Sequence, residues 1–130
     1  MVERIESTGL DEFEGIVESV QLESGIEDRK QYHVTIDATN VEIAGATGKL
    51  HEWIPVSSKS TEEAVQQGSV LDRYLTQIEI CLPAAKKAKT VEEAFGMMNG
   101  KKFKFRRLKH GKDYDGNKAR EYMTPVQLLE

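Results

Sequence analysis

Cations alternate with rings near the end of this chain, in Lys101-Lys102-Phe103-Lys104-Phe105-Arg106-Arg107-Leu108-Lys109. A glycine-flanked loop follows, His110-Gly111-Lys112-Asp113-Tyr114-Asp115-Gly116-Asn117, and then Lys118 and Arg120. Ammonium and guanidinium groups attract phosphate, and flat rings stack on bases. The pairing therefore suits a polyanion with exposed bases better than a small metabolite. From Lys101 to Glu130 there are nine Lys/Arg against four Asp/Glu, a net of +5 in a chain of net charge -4. Residues 1–60 carry -7 and residues 61–100 carry -2. The overall charge thus hides an acidic region and a basic one.

Other chemistries find little support. Gly45-Ala46-Thr47-Gly48-Lys49-Leu50 lacks the glycine spacing of a phosphate loop and the Ser/Thr after its lysine. Asp113-Tyr114-Asp115-Gly116-Asn117 begins like a calcium loop, but its glycine comes early and Thr124 stands where a bidentate Glu belongs. His33, His51 and His110 fall on different elements without cysteine partners, so no metal site is expected. Cys81 lies beside Ile78 and Leu82 on one helical stripe, which fits a buried thiol better than a nucleophile. Glu12, Glu14 and Glu18 read as an exposed strand face, or as a repulsive one that keeps nucleic acid away. No cofactor and no catalysis are expected.

These residues need elements to hold them. At 130 residues, 38% hydrophobic and 31% charged, the chain is expected to form one domain over 11–130, with a flexible N-terminus over 1–10. No apolar run is long enough to span a bilayer, and the first residues lack the pattern of a signal peptide. With one cysteine, a reducing, cytoplasmic setting is the expectation. Phe13–Leu22 reads as a strand whose internal Gly15 marks a bulge or a sharp bend. In Gln31–Ala38, Tyr32, Val34, Ile36 and Ala38 share one face, and His33, Thr35 and Asp37 the other. Leu50–Val56 is a third strand in which Trp53 has the parity opposite to Leu50, Ile54 and Val56.

The period then lengthens. Ser60-Thr61-Glu62-Glu63 predicts a short helix ending at Gly68. Ser69 with Asp72 caps another, whose stripe is Leu71, Tyr74, Leu75, Ile78 and Leu82, and Thr90 with Glu93 forms a capping box for a third. Strands over about 101–109 and 119–129 close the order β-β-β-α-α-β-β. The expected fold is mainly β, a five-stranded OB-like barrel with a helical insertion at about 60–99. An open antiparallel sheet packed on helices is the structural competitor.

In this order and in several segments the chain resembles single-stranded-nucleic-acid-binding OB-fold proteins, in particular the replication protein A-like group of archaea and viruses. The segments are Phe13-Glu14-Gly15-Ile16-Val17-Glu18-Ser19-Val20, Gln31-Tyr32-His33-Val34-Thr35-Ile36-Asp37, Gly100-Lys101-Lys102-Phe103-Lys104-Phe105, and the basic loop after them. The resemblance implies a binding face on strands two and three, flanked by the loops at about 23–30 and 110–118. It also implies a role in DNA replication, repair or recombination.

On this reading Trp53 and Tyr114 stack on bases. Lys102, Lys104, Arg106, Arg107, Lys109, Lys112, Lys118 and Arg120 follow the phosphates. Tyr32, Phe103 and Phe105 are assigned to the core. The expected function is non-catalytic binding of single-stranded DNA or RNA with little sequence preference. The alternative is an OB-like protein-interaction or self-assembly module, with a homo-oligomer or a replication or repair protein as partner and no membrane involved. The reading depends on the C-terminal hairpin presenting its cations outward and uncompensated.

Overall fold

The computed structural model describes residues 12–25, 29–38, 48–57, 59–110 and 120–129. Five antiparallel strands form one sheet in the order β3-β2-β1-β4-β5. They are β1 (Glu12–Ser24), β2 (Lys30–Ala38), β3 (Lys49–Pro55), β4 (Lys102–Lys109) and β5 (Glu121–Leu128). Between β3 and β4 lie α1 (Val70–Cys81), a 3-10 turn at Pro83–Lys87 and α2 (Val91–Gly96). The mainly β class and the element order agree with the sequence reading. Residues 1–10 lie outside the described residues.

The alternating pattern decides which side chains go inward. Tyr32, Val34 and Ile36 are buried, as are Phe13, Val17, Ile54, Phe103 and Phe105. Gly15 is not the bulge. It pairs in register with Ala38, and the register shifts between Val17 and Ser19 instead. That extra residue reverses the inward parity, so Val20 and Leu22 face Val34 and Tyr32. Gly15 has a different cause: a Cβ there would stand 2.5 Å from Ile36 Cγ2 and 3.1 Å from the Asp37 carbonyl oxygen. The two strands approach too closely for a side chain.

The helices close the other side of the core. Ser69 caps α1 by accepting from the Asp72 N–H at 3.2 Å, and Asp72 Oδ2 accepts from the Gly68 N–H at 2.7 Å. Leu71, Tyr74, Ile78 and Cys81 are its buried stripe. Tyr74 donates its hydroxyl proton to the Met123 carbonyl at 2.8 Å, tying α1 to β5. Thr90 accepts from the Glu93 N–H, and Glu93 accepts from the Lys89 N–H, both at 3.1 Å. After α2, Gly100 at φ +77° turns the chain so that its N–H meets the Val17 carbonyl at 2.7 Å. That contact sets β4 down beside β1.

The predicted helix ending at Gly68 does not form. Thr61 Oγ1 accepts from the N–H groups of Glu63 and Ala64, while Ser60 Oγ accepts from that of Gln66. These local bonds replace the helical ladder. The segment is strapped down by Tyr32, whose hydroxyl donates to Glu62 at 2.8 Å.

β3 and β5 stand at opposite ends of the strand order, yet they touch. Among the described residues no backbone ladder joins them, so the sheet is not closed into a barrel. One side chain crosses the gap. Glu52 of β3, 3% exposed, accepts from the Met123 N–H of β5 at 3.0 Å and from the Arg120 guanidinium.

Candidate nucleic-acid interface

The outward parity of β2 and β3 assembles a ring cluster. Register pairs His33 with Trp53 and Thr35 with His51. The His33 and Trp53 rings stack at 4.7 Å between centroids and 16° between planes. His51 lies 5.0 Å from His33 and 5.9 Å from Trp53. Trp53 remains 36% exposed, in agreement with its parity in the sequence.

Glu23 anchors the cluster from β1. Its carboxylate accepts from His33 Nδ1 at 2.9 Å and from Trp53 Nε1 at 3.3 Å. Above all the His33 hydrogen bond, against a smaller opposing effect of burial, holds the Glu23 carboxyl below its ordinary range. Because an ionised carboxylate only accepts, His33 carries its proton on Nδ1. In neutral His33, Nε2 is then an acceptor and takes a hydrogen bond from His51 Nδ1 at 2.8 Å. The chain Glu23–His33–His51 holds both imidazoles in place beside the indole.

Two arginines reach the same neighbourhood. Arg107 and Arg120 line an open pocket of about 370 Å³ together with His51, Glu52, Glu121 and Met123. The Arg120 side chain is 58% exposed even while it contacts Glu52, and its guanidinium carbon lies 4.7 Å from the centre of the Tyr122 ring. Arg107 is exposed. Of the sequence candidates, the structure thus brings Arg107 and Arg120 to one pocket, and His51, which also lines that pocket, lies beside Trp53.

The remaining cations of β4 have another environment. Register sets Glu12 opposite Arg106 and Glu14 opposite Lys104. Glu12 takes Lys104 Nζ at 2.7 Å and two Arg106 N–H groups at 2.8 and 3.2 Å. Lys102 Nζ lies 3.6 Å from Glu14, and Lys49 Nζ lies 3.2 Å from Glu18. The hydrogen bond from Lys104 and then that from Arg106 hold the Glu12 carboxyl below its ordinary value. Lys102, Lys104 and Arg106 are therefore not an uncompensated stripe. The β1 glutamates do not form a repulsive face either; Glu12 and Glu14 pair with cations of β4, and Glu18 pairs with Lys49 of β3. Lys109 is exposed at the end of β4. Lys112, Tyr114 and Lys118 lie outside the described residues.

Several other assignments agree with the structure. Tyr32, Phe103 and Phe105 are core, and burial raises the Cys81 thiol, which is a buried structural group. His110 is buried against Thr124 at 2.8 Å. Since the Thr124 hydroxyl donates its one proton to the Tyr122 carbonyl, His110 Nε2 must be the donor. Sequence reasoning missed Glu23, Glu52 and the meeting of His33 with His51. A signal for Glu52 was present: a carboxylate with the inward parity of Leu50 and Ile54. The histidines needed the β2–β3 register, which parity alone does not supply. Among the described residues no three or more His, Cys, Asp or Glu side chains converge to hold a metal ion. No helix among them is long and apolar enough to cross a membrane. No family model matches the chain, and a search of curated proteins returned no significant match.

Proposed function

We propose that this protein binds single-stranded nucleic acid on the outer face of β2 and β3, with Trp53 as stacking platform and Arg107 and Arg120 as phosphate contacts. The supporting observation is the exposed indole of Trp53, held flat by His33 and Glu23, next to His51, which also lines the pocket containing two guanidinium groups. Stacking on such a ring contributes about 1–3 kcal/mol per base and tolerates any base. Binding is non-catalytic and depends little on sequence.

The curled sheet supports an OB-like barrel as the scaffold, with the β3–β5 gap spanned by Glu52 in place of a ladder. In such folds the face of strands two and three is the usual surface for oligonucleotides. Lys104 and Arg106 join the interface only when phosphate displaces Glu12, so they are secondary contacts. A place in DNA replication, repair or recombination rests on the sequence resemblance.

Trp53 is the one tryptophan of the chain, so its emission reports on the site directly. Titration with oligo-dT should quench it, and added salt should reverse the quenching with a log–log slope of about 0.7 per phosphate contacted. A flat trace at low salt would rule the reading out.

A further inference from the structure

We infer that His33 and His51 form a two-imidazole site for a divalent transition-metal ion of the Zn²⁺, Ni²⁺ or Cu²⁺ class. The inference stands apart from nucleic-acid binding, since it uses nitrogen atoms that the stacking role does not need. His33 Nε2 and His51 Nδ1 face each other across 2.8 Å on neighbouring strands. Two nitrogens bound tetrahedrally to Zn²⁺ at about 2.0–2.1 Å stand about 3.3 Å apart, so the rings must separate by about 0.5 Å and tilt off their N···N line toward the ion. His51 is exposed and has room to make that movement.

The carboxylate behind His33 is the second observation. Glu23 Oε2 holds the Nδ1 proton of His33 at 2.9 Å, which leaves Nε2 with its lone pair pointing at His51. A carboxylate on the far nitrogen is the arrangement that orients a metal-bound histidine and raises its basicity. His51 must also move its proton from Nδ1 to Nε2, so that Nδ1 offers a lone pair as the ring tilts toward the ion. Water completes the coordination shell, because no third protein donor converges among the described residues. The ion is therefore exchangeable and not a structural strut. Two nitrogen donors favour Cu²⁺ over Zn²⁺, and both over the oxygen-seeking Mg²⁺ and Ca²⁺. Protons compete for the same lone pairs, so binding weakens as pH falls.

The test uses the full chain without nucleic acid. Zn²⁺ is titrated by calorimetry, and Ni²⁺ by quenching of Trp53, whose ring stacks on His33 at 4.7 Å. The expected result is saturable binding of one ion per chain, reversed by EDTA, with no response to Mg²⁺. His51→Ala should weaken it at least tenfold while leaving the far-ultraviolet circular dichroism spectrum unchanged. Glu23→Gln should weaken it by about tenfold without removing a ligand. His33→Ala should abolish it, and His51→Ala decides the matter if that variant does not fold. No saturable signal up to millimolar metal, or full affinity retained in His51→Ala, overturns the inference.

Discussion

The two outward faces of the sheet present different groups to solvent. Across β1 and β4, acids and bases alternate between strands and cancel: Glu12 against Lys104 and Arg106, Glu14 against Lys102. Across β2 and β3, two imidazoles stack on Trp53, and of the nearby guanidinium groups Arg107 is exposed while Arg120 is paired with Glu52. Exposed ion pairs of the first kind contribute little, commonly about 0–1 kcal/mol, because water already solvates both partners. Rings of the second kind hold one another in a stacked arrangement with the indole partly exposed. A count of cations along a strand is thus a poor guide to its field until the neighbouring strand is known.

The largest effect should come from the seam next to the ring face. Glu52→Ala leaves the Met123 N–H without its acceptor and should cost about 3 kcal/mol in urea denaturation. A loss below about 0.5 kcal/mol would show that the seam is held by something other than this carboxylate. Next comes the ring itself. Trp53→Ala should weaken oligo-dT binding about tenfold in an anisotropy titration, with the melting temperature nearly unchanged. The Lys104→Ala, Arg106→Ala double variant should weaken it less; a larger loss than at Trp53 would reverse the ranking of the two faces. Glu12→Gln should tighten binding modestly, by freeing Lys104 and Arg106 for phosphate. Unchanged or weaker binding would separate the β1–β4 face from the interface altogether.

The smallest effect is a difference in pH response. Burial, with a lesser contribution from Arg73, lowers the affinity of His110 for a proton. As pH falls below its ordinary value of 6.5, the unfolded chain takes up a proton that the folded chain refuses, and stability drops. Glu12 and Glu23 act lower on the scale. Their depressed carboxyls add stability above the ordinary 4.5, and it is lost as pH falls further through their folded values. Melting temperature measured from pH 7.5 to 3.5 should decline in two stages, and His110→Gln should remove the upper one. A single stage confined below pH 5 would contradict the burial of His110 as a neutral group.

Much of the scaffold was legible in the chain itself. Alternation in Tyr32–Ala38 and the caps at Ser69 and Thr90 are local signals, and local hydrogen bonds decide them. The helix expected before Gly68 failed for the same reason, since Thr61 and Ser60 satisfy backbone donors without a helical turn. The site was legible only in part. Parity put Trp53 outside, but pairing across strands brought His33, His51 and Glu23 to it. Pairing likewise turned the β4 cations from an expected stripe into ion pairs. Register is a property of two segments at once, and neither segment states it alone.

The placement of β1 bears on how the molecule is made. This strand lies in the middle of the sheet, and the residue that Glu12 grips, Arg106, lies 94 positions further along. On the ribosome β1 meets β2 first, and its second neighbour in the sheet arrives after both helices have been synthesised. The Glu12–Ile16 edge must therefore wait for its second partner, which makes the nascent chain dependent on slow, distant closure and exposed to wrong partners until β4 arrives.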